Sequence, residues 1–240
     1  MTHPAHLSAS DLPVVNFTDA DTLRLVSCAY IDEPAMQPLV DTDEELAFLA
    51  EVEALTSPRQ TGDLPVPDGL QRAELQNESH GYGWTYVNAA FCYTRADGNR
   101  FNGPERGAWY AAYGTKAAKT AQEEVVYHLT RELEATGVYD NITSYRELMA
   151  GFTTRLHDLN GQNNAQCLSL PPQEAYPAGQ ALARDILANG GNGLLYPSRR
   201  HVGGQCLVAF RPVLVQNVRP GNAWIMQWSG SATPSIRLKT

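Results

Sequence analysis

Residues 115–137 constrain the fold more than any other stretch of this chain. Their apolar positions Ala118, Ala121, Val125, Leu129 and Leu133 recur every three or four residues, which lays one buried stripe along an α-helix. Thr115 is the predicted N-cap, and Gly137 supplies the left-handed residue with which helices commonly end. Glu124 lies on the edge of the stripe. A helix with one apolar face has to bury it against a second layer, so the rest of the chain must supply one.

The flanking signals alternate between two types. Residues 85–93, rich in aromatic and small side chains, predict a strand, Asp97-Gly98 marks a turn, and residues 108–113 predict a second strand. After Gly137, helices are expected over about 144–156 and 174–189. Gly190-Gly191-Asn192-Gly193 then leads into the apolar run 194–197. Beyond Gly203-Gly204, residues 206–215 predict a strand interrupted at Arg211-Pro212, as at a sheet edge or bulge. Strands and helices in mixed order predict an α+β fold, and 240 residues suffice for a full core.

Charge divides the chain in two. Residues 1–70 carry 13 acidic and two basic side chains, whereas residues 71–240 carry 13 acidic and 16 basic. The first part is therefore read as an acidic N-terminal segment packed on or extending a core over 71–240. Within it, Asp41 to Glu45 precede Leu46, Phe48, Leu49 and Leu55, an acidic helix start with apolar positions behind it, and the prolines of 58–67 form a connector. The formal net charge of −8 disfavours direct nucleic-acid binding. The longest apolar run, residues 108–113, is far short of the roughly 20 that span a bilayer, and no secretory signal is legible at the start, so a cytoplasmic protein is expected. Cys28, Cys92, Cys167 and Cys206 lie far apart, as buried free thiols do, and the six histidines lack ligand spacing, so no metal is expected.

Familiar catalytic signatures are missing. There is no Walker A motif, Gly81-Tyr82-Gly83 lacks the third glycine of a dinucleotide fingerprint, and neither G-x-S-x-G nor H-E-x-x-H occurs. What remains is a scattered polar set: Arg100 after the turn, Tyr110 in the second strand, Glu124 on the helix and Ser198 after the run 194–197. Singly, each has an ordinary explanation, such as an i,i+4 pairing of Glu124 with His128.

As ordered segments they carry more information. Val87 to Phe91 followed by Gly98-Asn99-Arg100-Phe101-Asn102, then Arg106 to Ala112 with Tyr110, then Glu124 to His128, then Gly193 to Arg199 with Gly203-Gly204 and Cys206 to Phe210, resemble the RES-domain proteins. That family is named for an Arg, a Glu and a Ser and contains the toxins of RES–Xre toxin–antitoxin pairs. Thr22-Leu23-Arg24-Leu25-Val26 is similar to its opening strand, so the resemblance runs over about residues 20–230.

The resemblance implies a fold similar to ADP-ribosyltransferases, with two small sheets flanked by helices and a cleft that holds NAD. It implies cleavage of the bond between nicotinamide and ribose, by inorganic phosphate or by water. Transfer of ADP-ribose to a protein, or a non-catalytic interaction role, are the alternatives. The expected catalytic set is Arg100, Tyr110, Glu124 and Ser198. Arg100 would hold the pyrophosphate, Tyr110 would pack on or orient an NAD ring, Glu124 would stabilise the cationic sugar, and Ser198 would donate to nicotinamide or ribose oxygens. Arg24, Arg106 and Arg199 are expected binding residues, with NAD as substrate and no metal. The neighbouring Glu123 competes with Glu124 for the family's glutamate position. The resemblance also implies a cognate Xre-type antitoxin, with which the chain could form an oligomer.

Overall fold

The computed structural model describes residues 6–31, 40–60 and 64–239. Its elements in chain order are β1 (Val14–Ser27), α1 (Asp43–Thr56), α2 (Trp84–Cys92), β2 (Trp109–Tyr113), α3 (Ala117–Thr136), β3 (Asp140–Asp158), α4 (Pro172–Ala188), β4 (Gly193–Pro197), β5 (Gln205–Ala209), β6 (Gln216–Ser229) and β7 (Ser235–Leu238). The chain is α+β, with seven strands in one hydrogen-bonded network flanked by helices.

Two antiparallel units make up that network. In one, β3 is the centre: β1 runs along one edge from Val14↔His157 to Ser27↔Tyr145, and β6 and then β7 continue from the other. In the second, β5 lies between β2 and β4. The units meet at two short seams, Leu23↔Ala112 and the parallel pairs His157↔Leu194 and Asp158↔Leu195. At these seams the two units join into one seven-stranded sheet.

Each layer is held by burial of apolar surface. Between the units, Phe17, Trp109, Leu148, Phe152, Leu156, Leu195 and Leu207 pack with Val87 and Phe91 of α2. The stripe of α3 covers the β1–β3–β6 unit, where Ala117, Ala121, Val125, Leu129 and Leu133 meet Leu23, Leu25, Met226 and Trp228. On the far face of the second unit, Leu182 and Ile186 of α4 meet Leu194, Tyr196, Val208 and Phe210.

Two expected elements change type. Residues 85–93, expected as a strand, form helix α2. Gly83 enters it in the left-handed conformation at φ 88°, and Val87, Asn88, Phe91 and Cys92 are buried at helical spacing. Residues 144–156, expected as a helix, lie inside the 19-residue strand β3. Around its middle both faces are covered: Leu148, Ala150 and Phe152 enter the core with α2, while Tyr145 and Met149 meet α3. A strand buried on both faces shows no polar alternation in its sequence, so pairing with β1 and β6 decided the conformation.

Helix α3 forms as its stripe requires and ends at left-handed Gly137, φ 70°. Its N-cap is Lys116 rather than Thr115, with no side-chain cap. The acidic N-terminal segment contributes β1 to the sheet. Downstream of α1, Ser57 hydrogen-bonds the Tyr93 hydroxyl at 2.7 Å, and Asn88 donates to the Arg59 carbonyl at 3.0 Å. All four cysteines are buried free thiols.

Candidate active site

Glu124 and Ser198 meet where α3 faces the β4–β5 loop. Arg100 and Tyr110 act electrostatically on Tyr196, as Glu124 does, and Arg100 acts with Glu124 on Arg200 as well. Glu124 projects from the third turn of α3. Ser198, in the turn after β4, donates its hydroxyl proton to Glu124 Oε1 at 2.7 Å. The Ser198 oxygen in turn accepts the main-chain N–H groups of Arg200 at 3.1 Å and His201 at 3.0 Å. Its one proton goes to the carboxylate. Glu123 points elsewhere and pairs with Lys119 one turn back at 2.6 Å, so Glu124 is the carboxylate that meets the serine.

Arg100 is held by the loop that follows β3. Its Nη1 donates to the carbonyls of Cys167 at 2.6 Å and Ser169 at 3.0 Å, which fixes the guanidinium while leaving the rest of its fork uncommitted among the described residues. Tyr110 secures the loop that carries Arg100. Its hydroxyl accepts the Phe101 N–H at 3.0 Å and donates to Asn102 Oδ1 at 2.9 Å. Burial holds the Tyr110 phenol above its ordinary range, so it stays protonated. Arg24 reaches the same place from β1, with Nη1 3.3 Å from the Tyr110 carbonyl and its guanidinium 4.9 Å from the centre of the Trp109 ring. Burial lowers its pKa to about 10, which leaves it charged at neutral pH.

Positive charge accumulates here without being neutralised. Among the described residues, Arg24, Arg100, Arg199 and Arg200 form no ion pair. Arg200 lies 3.3 Å from the centre of the Tyr127 ring and feels both Arg100 and Glu124. Arg199 has a buried Nε with no partner. His128, four residues after Glu124, has its pKa lowered to about 4 by burial and then by Arg95, Arg200, Arg131 and Arg100. Clustered guanidiniums without carboxylate partners, beside one ordered carboxylate, suit an anionic substrate on which positive charge develops.

The sequence model of the RES domain matches residues 70–229, two-thirds of the chain. The chain belongs to the RES-domain family. RES toxins are in general NAD-utilising enzymes of toxin–antitoxin systems. A solved chain of the M. tuberculosis MbcT–MbcA toxin–antitoxin complex is similar at 18% identity, covering 54% of this chain and 72% of that one with a TM-score of 0.37. No curated protein matches the chain.

Within this RES protein, one expected binding residue is structural. Arg106 spends all five donors on the protein: Nε and Nη2 on the Phe210 carbonyl, Nη1 on Gly69 O, and both Nη atoms on the Glu74 carboxylate at 2.9 and 2.6 Å. No donor remains for a phosphate. Sequence reading also passed over Asn102, Thr120, Tyr127 and His201, whose contacts bind the site together. Asn102 and Tyr127 lie inside the Arg100 and Glu124 segments, Thr120 is four residues before Glu124, and His201 is three after Ser198. Among the described residues no group of three or more His, Cys, Asp or Glu could hold a metal, and no helix is long and apolar enough to cross a membrane.

Proposed function

We propose that this chain is a cytoplasmic toxin that degrades NAD by breaking the bond between nicotinamide and its ribose, with inorganic phosphate as acceptor. The observation that carries this reading is the Glu124 carboxylate, ordered by Ser198 at 2.7 Å and felt by Arg200, in a site whose Arg24, Arg100, Arg199 and Arg200 form no ion pair among the described residues. Nicotinamide is already a good leaving group, so the protein has to bind, orient and stabilise a sugar cation. Glu124 accepts a ribose hydroxyl and offsets the positive charge as the glycosidic bond lengthens. Arg100, with Arg24 behind it, takes the pyrophosphate. Arg199 and Arg200, beside Ser198, suit the incoming phosphate. The bonding electrons leave with nicotinamide, a phosphate oxygen bonds to the anomeric carbon, and the product is ADP-ribose phosphate.

A toxin that consumes NAD has to be restrained in its own cell, and a cognate antitoxin of the Xre type is the proposed partner. The deciding experiment follows NAD and its products by mass spectrometry with and without inorganic phosphate, alongside Glu124→Gln. Phosphate-dependent nicotinamide release with ADP-ribose phosphate supports the phosphorylase. Phosphate-independent release of ADP-ribose makes the enzyme a hydrolase, and ADP-ribose found on a protein makes it a transferase. No NAD consumption under any of these conditions overturns the enzyme reading in favour of an interaction protein.

A further inference from the structure

We infer that His201 is a positioning residue for the Glu124 carboxylate, acting through Thr120 and the Ser198 turn; the inference rests on the reading of Glu124 and its surroundings as an NAD-cleaving site. The turn is closed on itself, with Ser198 N–H donating to Gly204 O and Gly204 N–H donating to His201 O, each at 2.9 Å. The main-chain N–H of His201 donates to Ser198 Oγ at 3.0 Å, so His201 already touches the residue that holds Glu124.

Its side chain reaches the opposite way, placing Nδ1 2.9 Å from Thr120 Oγ1. Thr120 is fully buried, and its hydroxyl donates its only proton to the Lys116 carbonyl at 2.8 Å. It must therefore accept from His201, which assigns the ring proton to Nδ1. Thr120 and Glu124 are four residues apart on α3 and so lie one above the other on the same helix face.

The turn is thus pinned to α3 at two points one helical turn apart, by Ser198 on Glu124 and by His201 on Thr120. The paired ends of β4 and β5 anchor the turn, and the two contacts with α3 fix its middle against the helix. Gly204 makes the approach possible, because a Cβ there would come within 2.6 Å of Thr120 Oγ1 and 3.0 Å of His201 Nδ1. Chemistry at a sugar cation depends on where the carboxylate sits, and a displacement of about 1 Å can lower a rate by about a hundredfold.

The test compares four variants of the full chain in steady-state NAD cleavage. Thr120→Val removes the acceptor and His201→Phe the donor, whereas Thr120→Ser keeps the hydroxyl and His201→Asn keeps an N–H near the Nδ1 position. Removal is expected to lower kcat about 10- to 100-fold, the scale of a misplacement of up to about 1 Å, with KM for NAD within about twofold. The conservative pair should recover most of that loss. Hydrogen exchange reads the turn without using activity: the Arg200 and His201 amides, which donate to Ser198 Oγ, should exchange faster in Thr120→Val but not in Thr120→Ser. Unchanged kcat in Thr120→Val and His201→Phe, or equal losses in all four variants, overturns the inference. If the wild-type chain consumes no NAD, the NAD reading fails, and unchanged amide protection in Thr120→Val then overturns the pinning of the turn separately.

Discussion

Ser198 and Glu124, 74 positions apart in the chain, are joined by one hydrogen bond of 2.7 Å in which the serine is the donor. In the proposed reaction that direction gives Ser198 the task of positioning and Glu124 that of meeting the developing charge. Ser198→Ala should therefore lower kcat for nicotinamide release about 10- to 100-fold, the scale of a carboxylate misplaced by up to about 1 Å. Glu124→Gln should lower it by about a thousandfold, in the range of a lost electrostatic stabiliser. Glu123→Gln should stay near wild type, since Glu123 only pairs with Lys119. Steady-state assays of the three variants check the ordering.

Arg106 should reveal itself in stability rather than binding. Arg106→Leu strands the Glu74 carboxylate and the carbonyls of Gly69 and Phe210, and leaving such partly buried groups unpaired costs about 1–3 kcal/mol. Urea unfolding should register that loss. KM for NAD, measured on the fraction that remains folded, should stay close to wild type, and a tenfold rise would return Arg106 to the binding site.

His128 gives the fold a weakness in mild acid. Burial and the surrounding arginines lower its pKa to about 4, whereas the unfolded chain takes up the proton near pH 6.5. Below pH 6.5 the unfolded state binds more protons at this position than the folded state, so stability falls as pH drops from about 6.5 to about 4. Thermal unfolding of His128→Gln against wild type across pH 4–7.5 should show the wild type losing more on acidification. Parallel curves would refute the assignment.

The cysteines should be silent toward thiol reagents. Burial raises the pKa of Cys92 and of Cys167 to about 11 and pushes the Cys206 thiol higher still, so little thiolate is present at pH 8. A disulfide reagent at pH 8 should titrate no thiol in the native protein and four after denaturation. Rapid labelling of the native chain would contradict the burial described above.

Tyr110→Phe should loosen the Arg100 loop. The change leaves the Phe101 N–H and Asn102 Oδ1 without their shared hydroxyl, and an unsatisfied buried group costs about 1–3 kcal/mol. A lower midpoint in thermal unfolding together with a higher KM for NAD is expected. A change in KM alone, with stability unaltered, would favour direct contact of the hydroxyl with substrate.

The sequence by itself determined the elements whose pattern is local. The stripe from Ala118 to Leu133 ended by Gly137, the helix around 174–189 and the short apolar strands 108–113 and 194–197 each carry their signal within one segment. The ordered segments around Arg100, Tyr110, Glu124 and Ser198 were also legible, because each is a short run of contiguous residues. Tertiary structure decided what depends on distant partners. Residues 144–156 became a strand because β1 and β6 take its two edges and apolar layers cover both faces, and residues 85–93 became a helix because Asn88 and Phe91 are needed on one buried side. The division of labour among the arginines was decided in the same way. Arg106 and Arg100 are alike in sequence, but folding brings Glu74 and two carbonyls to the first and leaves part of the second uncommitted, since a guanidinium's role follows from which acceptors surround it in space.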